Sequence, residues 1–70
     1  MKLHYYPETD SLYIELNPNP SVDSHIVAEG VVADFDDDGN IVGIDIDHAS
    51  DKLDLNTLET VSLPAVTKGG

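Results

Sequence analysis

The chain opens with a β-prone run, Lys2 to Tyr6, that stops at the turn formers Pro7-Glu8-Thr9-Asp10. Strict alternation follows in Ser11-Leu12-Tyr13-Ile14-Glu15-Leu16, with Leu12, Ile14 and Leu16 on one face and Tyr13 and Glu15 on the other. A period of two is the mark of a half-buried strand. The short gap between the two runs suits an antiparallel hairpin, because a parallel crossover needs about a dozen residues or more. Asn17-Pro18-Asn19-Pro20-Ser21 reads as a loop, since each proline lacks an N–H and restricts the residue before it. A third extended segment, His25 to Phe35, carries Ile26, Val27, Val31, Val32, Ala33 and Phe35, with Gly30 marking a bulge or kink. Asp36-Asp37-Asp38-Gly39 ends it. The fourth run, Asn40 to Asp47, sets Val42, Ile44 and Ile46 against Asp45 and Asp47.

After Ala49 the period changes. Asn56-Thr57-Leu58-Glu59 matches a capping box and predicts a short helix over 57–62, stopped by Pro64. Leu53, Leu55, Leu58, Val61 and Leu63 then supply apolar groups to cover the open face of the sheet. The predicted architecture is α+β and mostly β: an antiparallel four-stranded meander with a short C-terminal helical segment. One domain is expected over residues 1–66, followed by a flexible tail at 67–70. The predicted core is Leu12, Ile14, Leu16, Val31, Phe35, Val42, Ile44, Ile46 and Leu58.

Composition changes this picture in one respect and charge in another. A chain of 70 residues buries a smaller share of its surface than a larger domain does, and without cysteine it has no disulfide staple. Oligomerisation, a metal or a partner chain are the remaining aids, so a homo-oligomer or a small protein partner is expected. The 14 Asp and Glu against three Lys and no Arg give a formal charge of −11. Such a chain is repelled by phosphate backbones and anionic membranes, which argues against nucleic-acid and membrane binding. A basic protein partner or a divalent cation suits it better, and the excess acid also serves solubility. The first residues hold no apolar run of signal-peptide length, which makes a cytoplasmic protein the expectation.

The sharpest chemical motif is Asp34-Phe35-Asp36-Asp37-Asp38-Gly39-Asn40-Ile41-Val42-Gly43-Ile44-Asp45. Acids at positions 1, 3, 5 and 12, with Gly at 6 and Ile at 8, fit an EF-hand-type calcium loop in which Asp replaces the bidentate Glu. Its flanks read as strands, whereas an EF-hand joins two helices. A β-hairpin turning at Asp37-Asp38-Gly39, with Gly39 at positive φ, is therefore the stronger reading. The metal candidates Asp34, Asp36, Asp38 and Asp45 are kept as an alternative. Asp34, Asp36, Asp45 and Asp47, with Glu15 beside them, form an acidic face in the hairpin reading. His4, His25 and His48 lie 21 and 23 residues apart without metal-ligand spacing and read as surface residues. Asp47, His48 and Ser50 are too close in sequence for a catalytic triad, and no nucleophile elbow surrounds them.

Tyr5-Tyr6-Pro7-Glu8-Thr9-Asp10-Ser11-Leu12-Tyr13-Ile14, the later segment from Gly30 to Ile46 and Ala49-Ser50 together resemble the small bacterial domain-of-unknown-function 2283 family. That pattern joins a Tyr-Asp-Pro-x-x-Asp-x-Leu-Tyr-Ile hairpin to an Asp-x-Asp-x-x-Gly-x-x-x-Gly-Ile-Glu-Ile segment ending near Ala-Ser. This chain departs from it at Tyr6, where Asp is usual, at Asp45, where Glu is common, and at Asp47, a place often apolar. The resemblance implies a small β-rich fold with no assigned chemistry or cofactor, and an antitoxin-like pairing with a neighbouring protein as one form of binding. Together these features make a non-enzymatic interaction module the leading expectation, self-associating or binding a protein partner. A calcium-binding domain over Asp34–Asp45 is the alternative.

Overall fold

The computed structural model describes residues 1–64. They form one antiparallel sheet of five strands and a single turn of helix. The elements are β1 (Lys2–Tyr6), β2 (Ser11–Glu15), β3 (Asp23–Ala28), β4 (Val31–Phe35), β5 (Ile41–Ile46) and α1 (Ala49–Lys52). Strand order is β1-β2-β5-β4-β3, so the last strand lies between the β1-β2 and β3-β4 hairpins. The expected domain limit at 66 and the tail at 67–70 lie outside the described residues.

The mostly β, antiparallel character is as expected, but there are five strands where four were expected. The difference arises at Glu29-Gly30. Gly30 adopts φ 72, and Ala28 pairs with Val31, so the expected third strand folds back on itself as a tight hairpin. Val27 is the extra residue between the pairs Ile26↔Val32 and Ala28↔Val31, a bulge that absorbs the turn.

Register assigns every strand residue to a face. On one face Leu3, Ile14, Ile44, Ala33 and His25 form a row across all five strands, with Tyr5, Leu12, Ile46 and Val31 in the next row. The other face carries the rows His4-Tyr13-Asp45-Val32-Ile26 and Lys2-Glu15-Gly43-Asp34-Ser24. The first face is mostly apolar, with Asp23 beside His25 at its β3 end, and the second holds Glu15, Asp34 and Asp45.

The core is small. Leu12, Ile46 and Ala49 are buried together, with Ile14, Val31 and Ile44 half-buried around them. Ala33 and Val42 are also buried, and Val42 is the extra residue of a second bulge, between Asp34↔Gly43 and Phe35↔Ile41. Of the predicted core, Leu16 and Phe35 are half-buried, while Leu58 is 77% exposed.

The helix expected over 57–62 does not form; among the described residues the helix is α1, nearer the sheet. The Asn56–Glu59 capping box is unused, and the Asn56 N–H bonds the Asp54 carboxylate instead. A short segment holds a helix only when it buries a face. Leu53, Leu55, Leu58, Val61 and Leu63 all stay exposed, so this segment does not cover the sheet as expected.

The β4-β5 turn follows expectation. The Gly39 N–H bonds the Asp36 carbonyl at 3.0 Å and Gly39 adopts φ 83. A side chain added there meets nothing within 4 Å, so substitution tests the backbone alone. Gly39→Ala is expected to cost about 1–2 kcal/mol in a denaturant titration. Asp37→Ala beside it should stay within about 0.5 kcal/mol of the parent.

Candidate functional site

The four acids proposed for a cation are divided between the turn and the sheet. Asp36, only 7% exposed, accepts the N–H groups of Asp38 and Asn40 on Oδ1 at 3.0 and 2.9 Å, and the Asn19 side-chain amide on Oδ2 at 3.0 Å. The Asn40 N–H first, then the Asn19 amide, hold its carboxyl below the usual range. Its oxygens already close the hairpin and pin the Pro-rich loop to it. Asp34 pairs with Gly43 and Asp45 with Val32 on the carboxylate face, while Asp38 lies exposed in the turn. Among the described residues, no three carboxylates or imidazoles gather as a metal-holding group. All three histidines are exposed; His25 sets its ring edge-on to Phe35, 5.4 Å between centroids.

On the carboxylate face a polar chain crosses four strands. Tyr13 of β2 reaches over Gly43 of β5 and donates its hydroxyl to Asp34 Oδ2 on β4 at 3.0 Å. Ser24 of β3 donates to Asp34 Oδ1 at 2.6 Å. A Cβ at position 43 would fall on the Tyr13 hydroxyl and ring, so glycine is what lets the tyrosine lie flat across the sheet. Burial, then the bond to Asp34 and the nearby carboxylates, raise the Tyr13 pKa. Asp45 is raised by burial first, then by Asp47 and Asp34. Sequence reasoning placed Glu15, Tyr13, Asp34 and Asp45 on this face, but it also put Asp36 and Asp47 there, which fall in the β4-β5 turn and after β5, and it missed the bridge that Tyr13 and Ser24 make to Asp34 over Gly43. A glycine inside an alternating strand was the available signal.

A second cluster holds α1 to the first hairpin. Asp10 adopts φ 54 and His48 adopts φ 52, left-handed conformations in which Asp and His are enriched. The Asp10 carbonyl accepts the Ala49 N–H at 2.8 Å, and its carboxylate accepts the Ser50 N–H at 3.2 Å and the Ser50 hydroxyl at 2.7 Å. Tyr5 donates to the same carboxylate at 2.7 Å. Asp10 thus caps a helix 40 residues away, where His48 at the N-cap makes no side-chain cap bond. Tyr5 and Ser50 lower the Asp10 pKa, and Asp10 raises that of Tyr5. Lys52 closes the other side by donating to the Asp47 carbonyl at 2.6 Å, while the Asp47 N–H bonds the Gly30 carbonyl at 2.8 Å.

Concave surface is scarce at these clusters. One cleft of about 210 Å³ lies between Tyr13, Glu15, Val42 and the Asn17–Ser21 loop, and another of about 250 Å³ lies between that loop and the turn acids. Both fall below the roughly 300 Å³ at which small-molecule sites begin. The apolar face is the broader surface. Among the described residues, the elements in substantial contact are the four pairs of neighbouring strands, and α1 meets the sheet around Leu12 and Ile46. Leu3, at the β1 end of that face, is 44% exposed, while Ala33 in the same row is buried.

Residues 2–50 match the family described as Protein of unknown function (DUF2283), a span that takes in both Asp10 and Ser50. No curated protein and no solved structure matches the chain. No helix among the described residues is long and apolar enough to cross a membrane.

Gly43→Ala is expected to destabilise the fold by about 1–3 kcal/mol through overpacking against Tyr13, as read by chemical denaturation. Two carboxylates should show opposite effects. Asp10, with its lowered pKa, contributes stability above about pH 4 that is lost as pH falls through its folded pKa. Asp45, with its raised pKa, opposes folding at neutral pH, and that cost disappears as pH falls to about 4. Melting curves at pH 7 should therefore show Asp10→Asn below and Asp45→Asn above the parent, with all three converging in acid.

Proposed function

The chain belongs to the DUF2283 family of proteins of unknown function, and from that premise we propose that it is a non-enzymatic interaction module whose apolar sheet face takes a protein layer. The observation that carries this reading is the outer edge of the apolar face, where Leu3 and Tyr5 on β1 are 44% and 45% exposed beside the Leu12, Ile46 and Ala49 cluster that α1 completes. Domains are built from at least two packed layers, because a sheet with one apolar face has to bury it. Here the second layer is one helix of four residues, and the chain measures 34 × 34 × 19 Å.

The acids play a separate part. Glu15, Asp34 and Asp45 occupy the opposite face, so charge repels other acidic surfaces and draws a basic partner without entering the apolar contact. An antitoxin-like pairing is one form this binding takes, with the partner supplying the missing layer.

A fluorescent dye that brightens on exposed apolar surface tests the reading, used at a dilution where light scattering gives the single-chain mass. The native chain is expected to bind the dye, and Leu3→Lys to bind it more weakly with an unchanged far-ultraviolet spectrum. A monomer that leaves the dye dark overturns the reading.

A further inference from the structure

The fold leaves a run of large apolar side chains open after α1. Leu58, Val61 and Leu63 are 77%, 79% and 59% exposed, and Leu53 and Leu55, nearer the helix, are 36% and 40% exposed. Every residue over 51–64 is exposed, so the segment buries nothing for the sheet. The family match ends at residue 50, and the bonds from Asp10 that seat α1 reach Ala49 and Ser50. Linkers are polar or rich in glycine and serine, whereas residues 53–63 hold these five aliphatic side chains and no glycine. Going beyond the sheet-face reading, we infer that residues 53–63 are a docking segment that becomes helical in an apolar groove of a partner protein whose rim is basic.

The sequence supplies the bound conformation. Asn56 stands at an N-cap with Glu59 three positions on, the reciprocal pair that closes the first turn of a helix. In that helix Leu58 and Val61, three residues apart, share one face, Leu55 precedes the cap, and Pro64 ends the run. Alone, the segment has no face to bury, so the Asn56 N–H turns to the Asp54 carboxylate at 3.1 Å and the helix stays unformed. A groove that takes Leu55, Leu58 and Val61 removes that obstacle, in the helix-in-groove mode of recognition.

Charge selects the groove. Residues 53–63 carry Asp54 and Glu59 and no lysine, on a chain of −11. Lysine or arginine on the rim pairs with both acids and is drawn by the field of the whole chain, whereas an acidic rim is repelled. The same charge turns away a second copy of this chain. The β3 edge is the poorer docking site. Ile26 and Val27 are exposed there, but the Asp23 carboxylate takes the Ser24 N–H at 2.9 Å and Val27 is a bulge. Charged and bulged edges discourage strand addition.

The probe is a synthetic helical peptide of leucine and lysine, which offers an apolar strip between two lines of ammonium groups. A leucine and glutamate peptide of the same pattern is the charge control. Each is titrated into the isotope-labelled full chain and followed by nuclear magnetic resonance. The lysine peptide is expected to shift the amides of residues 53–63 and to give helical carbon shifts over 57–62, and the glutamate peptide to do neither. Leu58→Asp and Val61→Asp should each weaken binding roughly tenfold or more, although they add negative charge. Asn56→Ala should weaken it about fivefold through loss of the cap. Tighter binding by Leu58→Asp, or shifts centred on Glu15, Asp34 and Asp45, overturns the inference by reducing the contact to charge attraction. Binding over 53–63 without helical carbon shifts, or equal binding of the two peptides, overturns it as well. Shifts centred on Leu3 and Tyr5 overturn it while supporting the sheet-face reading. No shift with either peptide overturns it and leaves that reading to its own dye measurement.

Discussion

Burying one face of a five-stranded sheet with a single helical turn is the constraint on which the rest of this structure depends. Alternation puts Leu12, Ile14, Ile44, Ile46 and Val31 on the same side, and the hydrophobic effect requires cover for them. Among the described residues, Ala49 of α1 packs on Leu12 and Ile46, with Ile14, Val31 and Ile44 half-buried around them. That small layer is held by long-range bonds rather than by helix propensity, since a helix of four residues is far below the length at which helices stand alone. Asp10 holds it from the first hairpin, and the Asp47 bond to Gly30 ties the chain before it to the second. The motif Tyr5 to Asp10 and the distant pair Ala49-Ser50 are thereby two halves of one contact.

The opposite face follows the complementary rule. Carboxylates crowded on adjacent strands repel, and the structure limits that repulsion by engaging Asp34 with two hydroxyls and leaving Asp45 to bear the cost. Tyr13 makes this possible by lying across Gly43, so the absence of a side chain at one position decides the polar order of four strands. Asp36 belongs to a different account. Its oxygens complete the turn, which is why an acidic run with calcium-loop spacing folds as a hairpin from its own hydrogen bonds.

Much of this was legible in the sequence, for local reasons. β1, β2 and β5 have the period or composition of strands, Pro7 and Pro18 punctuate them, and Gly39 after three aspartates announces its turn. The hairpin at Glu29-Gly30 was not legible, because alternation looks the same in one long strand and in two short ones folded about a glycine. Strand order was hidden for a different reason: insertion of β5 between β2 and β4 is set by pairings across the chain, which local pattern does not encode. The capping box at Asn56 misled because a cap needs a helix with a face to bury, and Leu58 has no surface to meet. The working cap, Asp10, lies 40 residues from the helix it serves. At the candidate surface, the charge of Glu15, Asp34 and Asp45 was visible in advance, while Tyr13 and Ser24 read as ordinary strand residues.

The central place of β5 also orders events in time. Before that strand is in position, the β1-β2 and β3-β4 hairpins share no hydrogen-bonded neighbour, so each presents an inner edge to solvent. During synthesis those edges emerge first and wait for the residues that join them, and unpaired edges of this kind invite pairing with other chains. A chain this acidic carries its own protection through the interval, because nascent copies repel one another while the edges are open. The surplus of aspartate and glutamate therefore works against association at the stage when the sheet is incomplete.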